Sequence, residues 1–375
     1  MNKNLIYFGI FAVTVIIGML YRYRVQRAIF KATCNGAPAS ADSVLKRWEL
    51  LLWTLLISAP SVLLLSFRYG IGSDYFNYER IYENYILLET TNMEWGYQML
   101  MKFSHWLFKE FWGVIFLCAF LSLVLIVYWI LKNCIPKQIP IALLILLSMN
   151  MGIWFNTIRQ GVAISLCAIA LTAIKKSKFL PFLCLVILAS LLHTTALVLL
   201  PCYFLLNHKN KKTPMVLVIA KLIVIAGLIF AFVYFYEIIG TENEWQYVGY
   251  YDSDEGGTTP WFLIFAIFIL LPELFYLPRI LQKNSKNVIF FFWVILELIF
   301  FVIGLQVSFV FRIAEYFSVV HILLIPEVLS AAKNRAEYHI VRFYYTLLFI
   351  FYFWYLYIYF GYSQIVPYVS IFDYV

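Results

Sequence analysis

The sequence predicts an all-α integral membrane protein with about twelve transmembrane crossings, some paired in short re-entrant-like hairpins. Three observations carry that expectation. Of the 375 residues, 63% are hydrophobic and only 13% charged, a balance outside the range of soluble domains. Apolar runs long enough to span a bilayer recur from the first residues to the last, so residues 1–375 read as a single polytopic domain. Between the runs, 20 of the 28 lysines and arginines fall into clusters (around residues 22–47, 132–137, 175–178, 209–212, 279–286 and 333–342), which the positive-inside rule marks as cytoplasmic.

The elements follow in order. Residues 4–21 form a first crossing that ends at "YRYR"; no small-residue cleavage site follows, so it reads as a retained helix. Residues 31–43, "KATCNGAPASADS", read as a flexible cytoplasmic loop. The second crossing ends at "LSFRYGIGSDYFNY", which puts Arg68 and Asp74 at its outer end. Residues 68–110 are then an acidic outer loop. Within it, residues 96–110 are too charged to span but amphipathic and aromatic, as an interfacial helix is. Residues 138–174 are a pair of crossings whose outer turn, "NMGIWFNTIRQG", delivers Asn156, Arg159 and Gln160.

The segment 179–206 decides the topology, because lysine clusters flank it on both sides. As one tilted helix it would turn every later basic cluster outward and the acidic loop at 236–260 inward, against the charge bias. It therefore goes in and comes back as two arms. At 1.5 Å per residue, each arm of about 14 residues covers about 21 Å of a core about 30 Å thick. The turn "LHTT" lies below the outer surface, and His193 lines a polar cavity there, since lipid satisfies no backbone group freed at a bend. After the second acidic outer loop, 236–260, the tenth and eleventh crossings meet at "VSFVFRIAEYF", which places Arg312 at an outer turn. Both termini lie outside.

Composition also excludes function classes. With a net charge of +8, no basic stretch carries interleaved aromatics in a folded-domain context, so nucleic acid is not expected as a partner. Cys118, Cys167, Cys184 and Cys202 lie in apolar runs and no cysteine pair has metal-ligand spacing. No metal site and no cofactor is expected, and "GIG" at 70–72 lacks the parallel-sheet context of a nucleotide fingerprint.

Seven basic residues stand apart from the cytoplasmic clusters and the start of the eighth crossing: Lys3, Arg68, Arg80, Lys102, Lys109, Arg159 and Arg312. Three of them are arginines at the mouths of hairpins on one side. A planar guanidinium suits bidentate binding of phosphate oxygens, and three of them opposite His193 point to a lipid-linked phosphate or diphosphate. Each has a plainer alternative. Arg68 can snorkel from a helix end, Arg312 can pair with Glu315 on one helix face, and Asp74 after glycines fits turn chemistry. His193 can be a satisfied packing residue. Arg159, in a polar cluster between apolar flanks, favours function over packing. Gln160, Asn156, Glu315 and Tyr316 are further cavity candidates. Tyr69, Tyr75, Tyr78, Tyr82, Tyr85 and Tyr97 read either as an interfacial belt or as faces for sugar rings. Glu297 and His321 fall within helices and receive no role.

Taken together, "FRYGIGSDYFNY", "EWGY" at 94–97, "NTIRQGVA", "LLHTTAL" and "FRIAEYF" resemble the EpsG-like branch of the Wzy-type polysaccharide polymerases. The resemblance runs from the second crossing to the eleventh, and it rests on the order and sidedness of these motifs. The chain departs from the family in carrying Trp95 where proline often precedes Gly96.

The resemblance implies a fold related to the GT-C class of membrane glycosyltransferases, in a bacterial plasma membrane with the site facing the periplasm or exterior. It implies an undecaprenyl-diphosphate-linked oligosaccharide donor and acceptor, no nucleotide sugar, and a partner protein that sets chain length. In that frame Arg159 and Arg312, with Arg68, bind the diphosphate, His193 is the general base, and Asp74 is the reserve base or orients the acceptor. Rival readings are a flippase for the same lipids, against which the absence of repeat symmetry speaks, and an outer-leaflet glycan ligase. A membrane acyltransferase is a third, with its histidine on the wrong side.

Overall fold

The computed structural model describes residues 3–35, 44–206, 223–224, 227, 260–305 and 308–373. In chain order the helices are α1 (Leu5–Cys34), α2 (Arg47–Ser66), α3 (Tyr75–Leu88), α4 (Trp95–Phe108), α5 (Phe111–Asn133), α6 (Ile139–Asn156), α7 (Ile158–Lys175) and α8 (Phe179–Ser190). A 3-10 segment, Thr194–Leu199, then leads into α9 (Leu200–Leu206). After residue 260 come α10 (Trp261–Lys283), α11 (Val288–Gly304), α12 (Ser308–Ser318), α13 (His321–Ser330) and α14 (Arg335–Phe353), the last running into a π-helical turn, Trp354–Tyr359. Among the described residues there is no β-strand, only an isolated bridge between Arg68 and Ser370.

Nine helical segments among the described residues are long and apolar enough to cross a membrane, and two shorter apolar ones, Phe179–Ser190 and Thr194–Phe204, occupy the predicted in-and-back hairpin. The chain is an all-α integral membrane protein. The expected eighth crossing, the acidic loop at 236–260 and the lysines at 209–212 lie almost wholly outside the described residues. One expectation is corrected: residues 31–34 are not loop but the end of α1. Nothing in "YRYRVQRAIFKATC" breaks a helix, and the first glycine after it is Gly36.

The chain falls into two compact units: Met1–Glu89 with Gln98–Ser165 and His321–Val375, and Thr90–Tyr97 with Leu166–Val320. In the first unit α1 and α6 run antiparallel. Tyr7 lies 6.0 Å from Phe155 at the end of α6, while Gly18 packs against Leu143 and Ile139 at its start. α2 lies on α5, with the Ser58 hydroxyl donating to the Leu123 carbonyl at 3.3 Å. Ser58 and Thr54 also donate to carbonyls one turn back in their own helix, at 2.8 Å each, so these buried hydroxyls are satisfied without water. The two ends of the unit differ as the charge clusters require. At one, Tyr338 donates to Gln138 (3.3 Å), Lys137 sits 3.8 Å over the Tyr338 ring, and Arg24 pairs with Glu49 (2.8 Å). Arg68 and Asn156 lie at the other.

In the second unit α11 and α12 pack through aromatic rings. Phe311 lies 4.6 Å from Phe262 and 5.4 Å from Phe301, and Phe317 lies 5.3 Å from Trp293 and 5.6 Å from Phe300. The hairpin folds back on itself. Phe179 and Phe182 at the start of α8 each sit 5.1 Å from Tyr203 in α9, and the chain reverses between them at Leu191–His193. The twelve residues of α8 rise about 18 Å, so the bend falls short of the far side of a bilayer core about 30 Å thick.

Candidate functional site

In the first unit the site begins where α2 ends. Gly70 and Gly72 follow with φ of +61° and +98°. A Cβ at Gly72 would lie 2.6 Å from the Phe155 carbonyl oxygen, so only glycine lets this loop rest on the end of α6. There the Ser73 hydroxyl lies 3.2 Å from Asn156 Oδ1, and Asn156 Nδ2 donates to the Gly152 (3.2 Å) and Ser363 (3.3 Å) carbonyls. Asp74 stands half-buried at the residue before α3, with the Ser73 hydroxyl 3.5 Å from its Oδ1.

A strap formed by residues 361–373 closes over this loop. The Tyr69 N–H donates to the Val369 carbonyl (3.0 Å), the Ile371 N–H to Phe67 (2.9 Å) and the Gly72 N–H to Gln364 (3.2 Å). Tyr368 donates its hydroxyl to Leu64 (2.9 Å), Tyr7 donates to the Ile365 carbonyl, and Lys3 pairs with Asp373 at 3.2 Å.

Arg68 lies beneath, 1% exposed, its guanidinium 4.8 Å from the Phe155 ring centre and 5.9 Å from that of Tyr75. Its Nε and Nη1 have no hydrogen-bond partner. Cation–π contact gives about 2 kcal/mol when desolvated, whereas the effective cost of burying an ion is several kcal/mol. The rings alone do not offset the burial; an anion would. Burial brings the Arg68 guanidinium down to about 10, still a cation at neutral pH, and pushes the Tyr75 and Tyr368 hydroxyls up to about 12, so these phenols face it as neutral dipoles.

Arg159 sits in the first turn of α7, 8% exposed, its guanidinium 5.7 Å from the Tyr78 ring centre. It is delivered there because α6 ends at Asn156: Thr157 leaves the helical region at φ −92°, ψ 60°, and its carbonyl accepts from Gly161 at 2.9 Å to start α7. Gln160 beside it is buried. Cys118 on α5 lies within electrostatic reach of both Arg68 and Arg159, so these two arginines share a neighbourhood.

In the second unit His193 occupies the bend of the hairpin, 4% exposed. Its Nδ1 lies 3.2 Å from Glu94 Oε1, and the same oxygen accepts from the Thr194 N–H at 3.1 Å and the Thr194 hydroxyl at 3.4 Å. Next to it the Thr195 hydroxyl meets the Tyr316 hydroxyl at 3.1 Å, and Trp293 Nε1 donates to the Tyr316 carbonyl at 3.3 Å. Arg312 and Glu315 lie one turn apart on α12, half-buried and in electrostatic contact, which agrees with the pairing expected of that spacing.

The sequence-derived candidates thus separate into two groups. Arg68, Asp74, Asn156, Arg159 and Gln160 belong to the first unit, and His193, Arg312, Glu315 and Tyr316 to the second. Glu94 and the strap were missed. Glu94 stands among the acids of the outer loop; its signals are its place at the head of "EWGY" and its position immediately before an amphipathic helix, two residues before Gly96. The strap's signal is "GYSQIVPY", turn chemistry following the last crossing. Among the described residues no group of three or more His, Cys, Asp or Glu side chains is placed to hold a metal ion.

No curated protein and no solved structure matches the chain. The family model described as the EpsG family matches residues 51–370, which include every candidate above and most of the strap. The chain, a multi-pass membrane protein of polysaccharide polymerase type, belongs to the EpsG family.

Proposed function

We propose that this protein is a polysaccharide polymerase of the outer leaflet of a bacterial plasma membrane. It moves a growing glycan from undecaprenyl diphosphate onto a new lipid-linked oligosaccharide repeat unit, with no nucleotide sugar and alongside a protein that sets chain length. The observation that carries the reading is His193, a buried imidazole at the bend of a membrane hairpin, in the same unit as Arg312. Family membership supports it.

In this reaction the acceptor hydroxyl attacks the anomeric carbon of the donor glycan. The bond from that carbon to the diphosphate breaks, and its electron pair leaves with undecaprenyl diphosphate. His193 takes the hydroxyl proton as general base. The arginines meet the diphosphate charge that builds as the bond breaks, through preorganised guanidinium groups rather than reorganised water. Arg312 is assigned that role in the second unit, and Arg159 with Arg68 in the first. Asp74 is the second candidate for the proton.

The test is a deletion strain complemented with wild type or His193→Ala. The expected result is single repeat units exposed on the outer face, with polymer restored by wild type alone. Single units held on the inner leaflet would instead identify a flippase, and finished polymer left on the carrier would identify a ligase.

A further inference from the structure

The strongest feature that the sequence-derived roles leave unused is the carboxylate beside His193. Three donors converge on Oε1 of Glu94: the His193 ring at 3.2 Å, the Thr194 N–H at 3.1 Å and the Thr194 hydroxyl at 3.4 Å. The Thr194 donors place that oxygen independently of the imidazole. A second contact sets the register. The Gly96 N–H donates to the Leu191 carbonyl at 2.8 Å, so the residue two after Glu94 is tied to the residue two before His193. A Cβ at Gly96 would lie 2.6 Å from the Leu191 oxygen, so the approach that brings Glu94 to His193 needs glycine there. The pair is shielded, with 5% of the His193 side chain and 15% of the Glu94 side chain exposed. Salt and water therefore screen it weakly.

We propose that Glu94 is the positioning residue for His193: its carboxylate fixes the ring with the proton on Nδ1, leaving Nε2 as the nitrogen that accepts the acceptor hydroxyl's proton. The inference rests on the polymerase reading. Its chemistry follows from hydrogen-bonding capacity. An ionised carboxylate only accepts, so the nitrogen facing it must donate, and the tautomer is set. As the new glycosidic bond forms, the hydroxyl proton passes to Nε2 and the imidazolium is stabilised by Glu94, which keeps its own charge. The proton then leaves to water before the next turnover. Tyr316, which faces Thr195 from α12, and Arg312 and Glu315 on that helix are common to wild type and variants, so a comparison isolates Glu94.

The experiment uses the full chain in nanodiscs with nitrogen-15-labelled histidine, as wild type, Glu94→Gln and Glu94→Asp, with the His193 signal assigned by its loss in His193→Gln. Nitrogen shifts report the tautomer and titration of the ring, and a lipid-linked repeat unit reports polymerisation. In wild type the expected ring is the Nδ1-protonated tautomer. In Glu94→Gln its titration midpoint moves to lower pH, because the nearby negative charge is gone. The rate falls about 100-fold with KM little changed, and the acid limb of the rate profile moves to lower pH with the ring. Glu94→Asp restores part of both effects and serves if the glutamine variant fails to fold. An unchanged tautomer and midpoint in a folded Glu94 variant would overturn the proposal. A ring that responds to Glu94 in a protein that makes no polymer would sustain the positioning role and overturn the polymerase reading instead.

Discussion

Arg68 in the first unit and His193 in the second are both nearly inaccessible polar side chains, yet their surroundings are opposite in kind. Arg68 rests on the Phe155 and Tyr75 rings, faces neutral phenols, and has two guanidinium nitrogens without a hydrogen-bond partner. His193 is met by a carboxylate that is itself held by two further donors. A cation left with aromatic neighbours retains its attraction for an anion from outside. A base given a carboxylate has its tautomer chosen and its charged form stabilised. One arrangement suits binding and the other suits proton transfer.

Substitutions sharpen or break that contrast, and the largest effect belongs to the proposed base. His193→Ala should lower polymer formation by about 1,000-fold or more, within the range seen for general bases, while membrane insertion is unchanged; chain length read on a gel checks this. Glu94→Gln comes next, at about 100-fold. Arg68→Met separates binding from packing. Replacing a buried, partly unsatisfied cation by an isosteric apolar chain should leave Tm unchanged or higher, while KM for the lipid-linked substrate rises about tenfold or more with the loss of a charge-assisted contact. A fall in Tm with KM unchanged would make Arg68 a structural residue and remove the contrast. Gly96→Ala should cost about 1–3 kcal/mol of stability through overpacking against Leu191, seen as a lower Tm, together with a slower reaction because Glu94 is displaced. Asp373→Asn, at the exposed pair with Lys3, should leave both rate and Tm within error.

What the sequence made legible was what charge and hydropathy encode. The in-and-back hairpin at 179–206 followed from its flanking lysines, and Arg159 and Arg312 stood out because a guanidinium between apolar flanks is costly. The tyrosines of the first outer loop were legible only in part. Read as a belt or a sugar platform, Tyr75, Tyr78, Tyr82 and Tyr85 in fact follow a 3-4-3 spacing, which is one face of a helix, and they are 3–6% exposed on α3. Glu94 was hidden for a different reason. It lies 99 residues from His193, and their meeting depends on the Gly96–Leu191 backbone contact, which no local pattern encodes. The strap over Arg68 joins residues about 300 apart by backbone hydrogen bonds, which carry no side-chain signature.

The most direct test of the central claim is incubation of the purified full-length protein with a synthetic undecaprenyl-diphosphate-linked repeat unit, without nucleotide sugar, reading product length on a gel. The expected result is a ladder of polymer that wild type produces and His193→Ala does not. Transbilayer movement of single repeat units in liposomes, with no ladder from the same preparation, would contradict it.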